Sequence, residues 1–355
     1  MHAGRYGAID GLRGILAIGV FIHHYIITYK WANEGVWVRP DSDFFNHLGQ
    51  ASVGLFFIIT GYLFSKKMII SNNSDWVFFF RSRFFRVYPM FIFVTLIVAW
   101  YSFYITNYKV IVQPSSFLLE IKSWLLFYCR KLNGNIFSGR MLAGVTWTLS
   151  YEWLFYLSLP MISTIYRFKA VFVLFAIFVV YFSVNPEVVQ IYIWSFNTSL
   201  FVFFLWGFLV AQLQVYKKEL AIGNLLGLLV VSSLFSFLVY EYDGSFGFEQ
   251  SALLTAVFML FSYGFDLFGL LKTKFILILG DISYSIYLNH GLFLYFIFSV
   301  IFPGFCSEIS FIYYMLLMPF VFIFIFIFSL LTYKYIEKPM IIYGKKMMVK
   351  NVQVV

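Results

Sequence analysis

Apolar segments of about 20 residues recur along the whole chain, and each is long enough to cross a lipid bilayer as a helix. The sequence predicts about ten such spans. They are approximately 8–29, 49–65, 84–106, 144–165, 169–184, 198–215, 220–240, 250–271, 279–302 and 310–333. Hydrophobic residues make up 62% of the chain and charged residues only 12%, about half the charged fraction of a soluble protein. These features indicate an all-α polytopic integral membrane protein.

The distribution of lysine and arginine predicts which side of the membrane each loop occupies. Basic residues concentrate in cytoplasmic loops, and placing the N- and C-termini in the cytoplasm puts 18 of the 25 basic residues there. The same bias explains the net charge of +9 without a nucleic-acid partner. The loop at 107–143 is the exception, because it holds five of the seven outer basic residues. We expect 117–129 in this loop to form an interfacial or re-entrant helix.

The chain is predicted to form one membrane domain, 1–340, followed by a short basic cytoplasmic tail, 341–355. The first apolar segment has no small-residue cleavage motif and is typical of a retained span. Cys129 and Cys306 both fall on the predicted outer side, as two unpaired thiols or as a disulfide. Two cysteines are too few for a thiolate metal site, and no ligand cluster in the sequence predicts a metal.

The first predicted span carries two ionisable side chains, which are costly within a bilayer and usually mark function or a partner. Arg13 and His24 are eleven residues apart, so they share a helix face and lie about 16 Å apart along the helix axis. We therefore expect Arg13 near the inner leaflet and His24 in the outer half. Alternatively, each side chain extends to its nearer headgroup region.

Further polar residues are predicted at the depth of His24. Glu152 lies in the fourth span, one turn from Tyr156, and could meet His24 there. A carboxylate beside an imidazole is a usual arrangement for general-base catalysis. The alternative is a buried glutamate that hydrogen-bonds across helices. In the ninth span Ser283 and His290 are seven residues apart and share a face, with His290 in the outer half.

Arg83 and Arg86 lie on one helix face at the predicted cytoplasmic edge. Ordinary charge anchoring on the cytoplasmic side explains them. Guanidinium groups also bind phosphates bidentately, so the pair could hold a phosphorylated ligand. Arginines at the inner edge and histidines in the outer half indicate a site that is open to both faces of the membrane.

Six segments, taken in this order from residue 9 to about 339, resemble those of the bacterial membrane acyltransferase family 3. Arg13 and His24 are similar to its first-span motif, and Arg83 with Arg86 is similar to its Arg-x-x-Arg motif. The other four are Gly54–Tyr62, Trp147–Tyr156, Ser283–His290 and Glu337–Pro339. Thr60 departs from the family pattern, where serine is common.

The resemblance implies an O-acyltransferase of the bacterial inner membrane. Members of the family move acyl groups, mostly acetyl from cytoplasmic acetyl-CoA, to hydroxyls of extracytoplasmic glycans. Acetyl-CoA is then a substrate, and no bound cofactor or metal is implied. The partners are a surface glycan or lipid-linked oligosaccharide and the lipid bilayer. Oligomeric state is not predicted.

The resemblance also implies roles for individual residues. His24 acts as the general base or as a transient acyl carrier, with Glu152 and Arg13 as its catalytic partners. Arg83 and Arg86 hold the CoA phosphates. The expected acceptor site comprises His290, Ser283 and Tyr156.

Two interpretations stay open at this point. Trp31, Trp37 and Trp124 in the outer loops could stack on sugar rings, although an interfacial aromatic belt is the more typical role. A polytopic transporter or a flippase of lipid-linked glycan is the alternative function. Such proteins carry internal repeats and broken spans, and the sequence has no internal symmetry.

Overall fold

The computed structural model describes residues 7–70, 75–185, 197–216 and 222–352. No β-strand occurs in these ranges, where the regular structure is helical. The prediction of an all-α fold is therefore confirmed. Helices satisfy their backbone hydrogen bonds internally, as a chain in hydrocarbon must.

The α-helices of the described residues follow one another along the chain. They are α1 Gly7–Glu34, α2 Asp43–Ile70, α3 Trp76–Tyr104, α4 Pro114–Leu125, α5 Ser138–Met141, α6 Trp147–Tyr166, α7 Lys169–Val184, α8 Phe201–Tyr216, α9 Asn224–Glu241, α10 Phe248–Ser262, α11 Lys274–Asp281, α12 Ser283–Tyr295, α13 Phe305–Glu308, α14 Phe311–Thr332 and α15 Lys338–Val352. Phe296–Ile301, which continues α12, and Tyr333–Glu337, which joins α14 to α15, are π-helical.

Each of the ten predicted spans overlaps a helix of the structure. In the described part of the chain, six helical segments are long and apolar enough to cross a membrane. They are Gly7–Glu34, Asp43–Ile69, Trp76–Tyr104, Asn224–Glu241, Ser283–Ile301 and Phe311–Met347. Three shorter apolar helices, Lys169–Val184, Thr198–Gln214 and Phe248–Ser262, fall in three further predicted spans. A multi-pass membrane protein is thus supported, while the number ten and the cytoplasmic termini stay predictions.

Several helices extend beyond the predicted spans or stop short of them. The second and third helices start six and eight residues earlier than predicted, at Asp43 and Trp76. The predicted span 250–271 is shorter as a helix, because α10 ends at Ser262. Gly264, two residues after the end of α10, has a φ of 111°. A right-handed helix cannot contain a residue with this backbone angle. Apolar composition continues past this turn, so hydropathy alone could not locate the end.

The helix expected at 117–129 is present as α4 and begins three residues earlier. Pro114 occupies its first turn, where the missing N–H is harmless. Leu118 and Leu119 are 67% and 66% exposed, whereas Glu120 is 4% exposed and lies 3.5 Å from Lys131. This helix turns apolar side chains outward and its carboxylate inward, as contact with a lipid interface requires.

The chain divides into two compact units. The first unit comprises Met1–Val20, Pro40–Ser74 and Tyr151–Asp281, and the second comprises Phe21–Arg39, Asp75–Ser150 and Ile282–Val355. Helix α1 therefore contributes residues to both units.

Close backbone contacts at glycines hold α2 and α8 together in the first unit. A Cβ atom at Gly207 would lie 2.2 Å from the carbonyl oxygen of Ile58, and one at Gly61 would lie 2.3 Å from that of Phe204. Small residues permit such approach between membrane helices, where packing replaces the hydrophobic effect as the main attraction.

The two cysteines lie in the second unit as free thiols. Cys129 is 8% exposed and Cys306 is 1% exposed. Burial raises the pKa of the Cys129 thiol well above its ordinary value and that of Cys306 to about 12. Of the two alternatives that the sequence left open, the structure has the unpaired thiols.

Gly207→Ala is expected to destabilise the first unit, because its methyl group would overlap the backbone of α2. The free energy of unfolding should fall by about 1–3 kcal/mol, measured as a lower melting temperature in detergent. Leu213→Ala on the same helix is the control, since Leu213 is 50% exposed. Equal melting temperatures for Gly207→Ala and the wild type would contradict the close contact.

Neither native thiol should react with a maleimide in the folded protein at pH 7, because the thiolate is the reactive form and burial disfavours it. Mass spectrometry should find two labels only after denaturation. Ser307→Cys supplies a control thiol at an exposed position beside Cys306, and it should be labelled in the folded state. Absence of labelling after denaturation without a reductant would indicate a disulfide.

Candidate active site

Two histidines meet in the second unit, one from α1 and one from α12. The Nε2 atom of His290 lies 3.3 Å from Nδ1 of His24, and the ring centroids are 5.1 Å apart. His24 is half-buried, whereas His290 is fully buried. The sequence placed both in the outer half of the membrane, and the structure brings the two rings into contact.

The neighbours of the two rings determine which nitrogens carry protons. His290 Nδ1 lies 3.2 Å from the carbonyl oxygen of Ile286, which can only accept a hydrogen bond, so Nδ1 carries the proton. In the neutral ring Nε2 of His290 is then an acceptor, and Nδ1 of His24 donates to it. The basic nitrogen of a neutral His24 is therefore Nε2. The two contacts therefore favour one tautomer of His24, with the proton on Nδ1 and the lone pair on Nε2.

Buried polar contacts fix the helix that carries His290. Asn289 Nδ2 donates to Ser329 Oγ and Thr332 Oγ1 of α14 at 3.2 and 3.1 Å. Ser285 Oγ donates to Glu337 Oε2 at 2.8 Å. A buried amide or carboxylate that lost such partners would be left with a large desolvation penalty. These contacts therefore hold α12 in one rotation about its axis.

Close packing fixes the opposite side of α12. A Cβ atom at Gly291 would lie 2.4 Å from the backbone nitrogen of Ala143. The hydroxyls of Tyr287 and Thr148 are 2.7 Å apart, and Tyr287 also donates to the carbonyl oxygen of Val145 at 3.2 Å. His290 consequently belongs to a rigid part of the second unit.

An aromatic cluster extends from the side of His24. We call Trp31, Trp37, Phe137 and Tyr295 the aromatic cluster. Trp37 lies 6.4 Å from His24 between ring centroids, at an interplanar angle of 27°. Trp31 contacts the other three members of the cluster. The sequence identified the two tryptophans but contained no sign of their position beside His24.

Glu152 and Tyr156 lie together in the first unit on α6. The Tyr156 hydroxyl donates a hydrogen bond to Glu152 Oε1, as expected for residues four apart on a helix. Tyr156 is buried and Glu152 is half-buried. Arg13 is also in the first unit, half-buried on α1. The expected partnership of Glu152 and Arg13 with His24 stays a prediction.

The expected phosphate-binding arginines lie near the start of α3. Arg83 and Arg86 are both half-buried, and Arg83 Nη2 lies 3.4 Å from Ser82 Oγ. Helix α15 packs on this segment: a Cβ atom at Gly344 would lie 2.8 Å from Cβ of Phe85. Most of the predicted basic tail therefore lies within α15. This helix contacts the segment that carries the arginine pair.

The expected acceptor residues belong to different units: Ser283 and His290 lie in the second, and Tyr156 lies in the first. Ser283 is buried at the start of α12, about 10 Å along the helix from His290. Its hydroxyl has no hydrogen-bond partner among the described residues. Tyr156 belongs to the first unit. The shared acceptor role of these three residues stays a prediction, whereas His290 has a direct contact with His24.

No group of three or more histidine, cysteine, aspartate or glutamate side chains in the described ranges is arranged to hold a metal ion.

Comparison with known proteins decides the family. Residues 6–334 match the family model described as an acyltransferase domain. The chain belongs to this acyltransferase family. The resemblance inferred from its six motifs is thereby confirmed.

Curated relatives carry a consistent name. The chain is 25% identical over 325 residues to O-acetyltransferase OatA of Staphylococcus aureus strains NCTC 8325 / PS 47, COL and MRSA252. Each match covers 82% of this chain and 51% of the relative. The chain thus spans about half the length of the curated relatives it matches. No solved structure matches the chain significantly.

Proposed function

We propose that this protein is a membrane O-acetyltransferase that moves an acetyl group from cytoplasmic acetyl-CoA to a hydroxyl of an extracytoplasmic glycan. Its membership of the acyltransferase family and the O-acetyltransferase name of its relatives support the reaction class. The contact between His24 and His290 carries the proposal about chemistry. The bacterial inner membrane is the proposed location.

His24 Nε2 serves as the general base in the proposed reaction. It accepts the proton of the glycan hydroxyl while the hydroxyl oxygen attacks the thioester carbonyl of acetyl-CoA. The carbon–sulfur bond then breaks, and the imidazolium returns the proton to the departing CoA thiolate. An acetylated glycan and free CoA are the products. An unperturbed imidazole titrates near neutral pH, which suits it to both steps.

A transient acyl-imidazole on His24 is the second route to the same products. The same Nε2 lone pair would attack the thioester carbonyl, and the carbon–sulfur bond would break to release the CoA thiolate. The glycan hydroxyl oxygen would then attack the acetyl carbon, the nitrogen–carbon bond would break, and the hydroxyl proton would pass to the CoA thiolate. Both routes need the tautomer that the contact with His290 favours. His290 is therefore proposed as a positioning residue.

Arg83 and Arg86 are proposed to bind the phosphates of CoA. Their spacing on α3 places both residues on one helix face, and each guanidinium group can bind an oxyanion bidentately. Lys345 and Lys346 follow the contact of Gly344 with α3 and are exposed. They add positive charge on the helix that packs against the arginine segment. Arg13 is proposed to guide the pantetheine arm, and Glu152 to support the charge that develops on His24.

His24→Ala should abolish glycan-dependent release of CoA from acetyl-CoA, with a loss of about a thousandfold or more in kcat. The assay uses purified protein in nanodiscs, with and without glycan extracted from the source cells. His23→Ala is the matched control, because His23 is the half-buried neighbour on α1. Release that survives His24→Ala would overturn the assigned base. No release by well-folded wild-type protein would overturn the enzyme itself.

His290→Leu should lower kcat by about a hundredfold and leave the KM for acetyl-CoA near its wild-type value, because the acceptor for His24 Nδ1–H is lost. His290→Gln retains an acceptor oxygen and should recover part of the activity. The pH dependence of kcat should also shift in the leucine variant. Equal activities of the leucine and glutamine variants would contradict a positioning role.

A further inference from the structure

A turn after α1 brings a tryptophan to the side of the proposed catalytic base. Helix α1 ends at Glu34, and the amide of Gly35 donates to the carbonyl oxygen of Trp31 at 2.8 Å. Gly35 has a φ of 71°, which reverses the chain direction at low energetic cost only for glycine. The chain then places the Trp37 ring 6.4 Å from that of His24. This proximity depends on the turn and not on helix periodicity.

The aromatic cluster joins the two helices that carry the histidines. Trp31 lies two turns beyond His24 on α1 and stacks on Tyr295 of α12, with centroids 5.7 Å apart at 27°. The Trp31 and Trp37 rings meet edge to face, with centroids 5.4 Å apart and an interplanar angle of 77°. Rings held in this way lose little conformational freedom when a ligand stacks on them.

Trp31 and Trp37 are half-buried, so part of each indole remains accessible. The Phe137 side chain is 37% exposed and is the most accessible ring of the cluster. The guanidinium carbon of Arg140 lies 5.9 Å from the Trp31 ring and 5.4 Å from the Phe137 ring. The surface therefore combines flat apolar faces with a cation that carries five N–H donors.

A pyranose ring matches this combination of surfaces. Its C–H faces are apolar and its edge carries hydroxyl groups, so one sugar can stack on an indole while its hydroxyls accept hydrogen bonds. A fully lipid-facing belt needs no cation among the rings and no ring beside a half-buried histidine. The position of Trp37 beside His24, together with Arg140 among the rings, thus favours a sugar over a lipid chain as the occupant.

We propose that Trp37 and Trp31 form the platform that binds the acceptor sugar, with one hydroxyl of the stacked pyranose directed to His24 and Arg140 holding another. This inference rests on the proposed acetyltransferase function and names the part of the site that selects the glycan. The position of the acetylated hydroxyl on the sugar then depends on how the ring lies on Trp37.

The experiment measures acetyl transfer from acetyl-CoA to glycan extracted from the source cells, over a range of glycan concentrations. Trp37→Ala should raise the KM for the glycan by about fivefold to tenfold, the loss expected for one aromatic stack. Trp37→Phe should show a smaller rise, because it keeps a ring. Trp37→Leu replaces the alanine variant if that variant does not fold. Trp100→Ala is the control, since Trp100 is 54% exposed near the end of α3.

Each outcome distinguishes the platform from the enzyme. A selective rise in glycan KM for the alanine or leucine variant, with a wild-type KM for acetyl-CoA, supports the platform. Unchanged glycan KM in an active variant would overturn the platform and leave the acetyltransferase function standing. An equal rise in Trp100→Ala would indicate a general belt effect and also overturn it. No transfer to glycan by folded wild-type protein would remove the acceptor and with it both proposals.

Discussion

The absence of water from the bilayer interior is the constraint on which this structure depends. Backbone groups must pair within each helix, so the described chain is helical throughout its regular parts. The same constraint applies to polar side chains: Asn289 and Ser285 direct their hydrogen bonds to α14 and to Glu337. Stability and positioning therefore come from the same contacts. Those contacts set the rotation of α12, and this rotation presents His290 to His24.

Composition was enough to predict the helices, and the helical period placed the two histidines at one expected depth. Apolar length indicated the membrane helices, and the cost of ionisable groups in hydrocarbon singled out His24 and His290. Their common depth results from a rise of about 1.5 Å per residue. The depth of a residue does not determine how its helix is rotated about its own axis. The 3.3 Å contact between the two rings could therefore not be derived from the sequence alone. It depends on the partners of α12, such as those of Asn289, which lie 40 or more positions away.

Other misses have a local cause. Trp37 reaches His24 through the turn at Gly35, and a single glycine in a loop does not specify a direction. The early end of α10 was missed because the residues after Ser262 stay apolar while the backbone at Gly264 takes a positive φ. Hydropathy measures where a side chain is stable and not how its backbone is folded. The contact of α15 with the arginine segment likewise depends on the fit of Gly344 against Phe85.

Two π-helical segments interrupt the long helices of the second unit. Phe296–Ile301 directly follows α12, and Tyr333–Glu337 directly follows α14. A π-turn closes its hydrogen bonds from residue i to i+5 instead of i to i+4, so it changes the helix face on which the residues beyond it lie. The histidine pair precedes the first of these segments on the chain. The side chains beyond Tyr295 therefore point in directions that an uninterrupted α-helix would not give them, whereas the α-helical part of α12 alone sets the direction of His290.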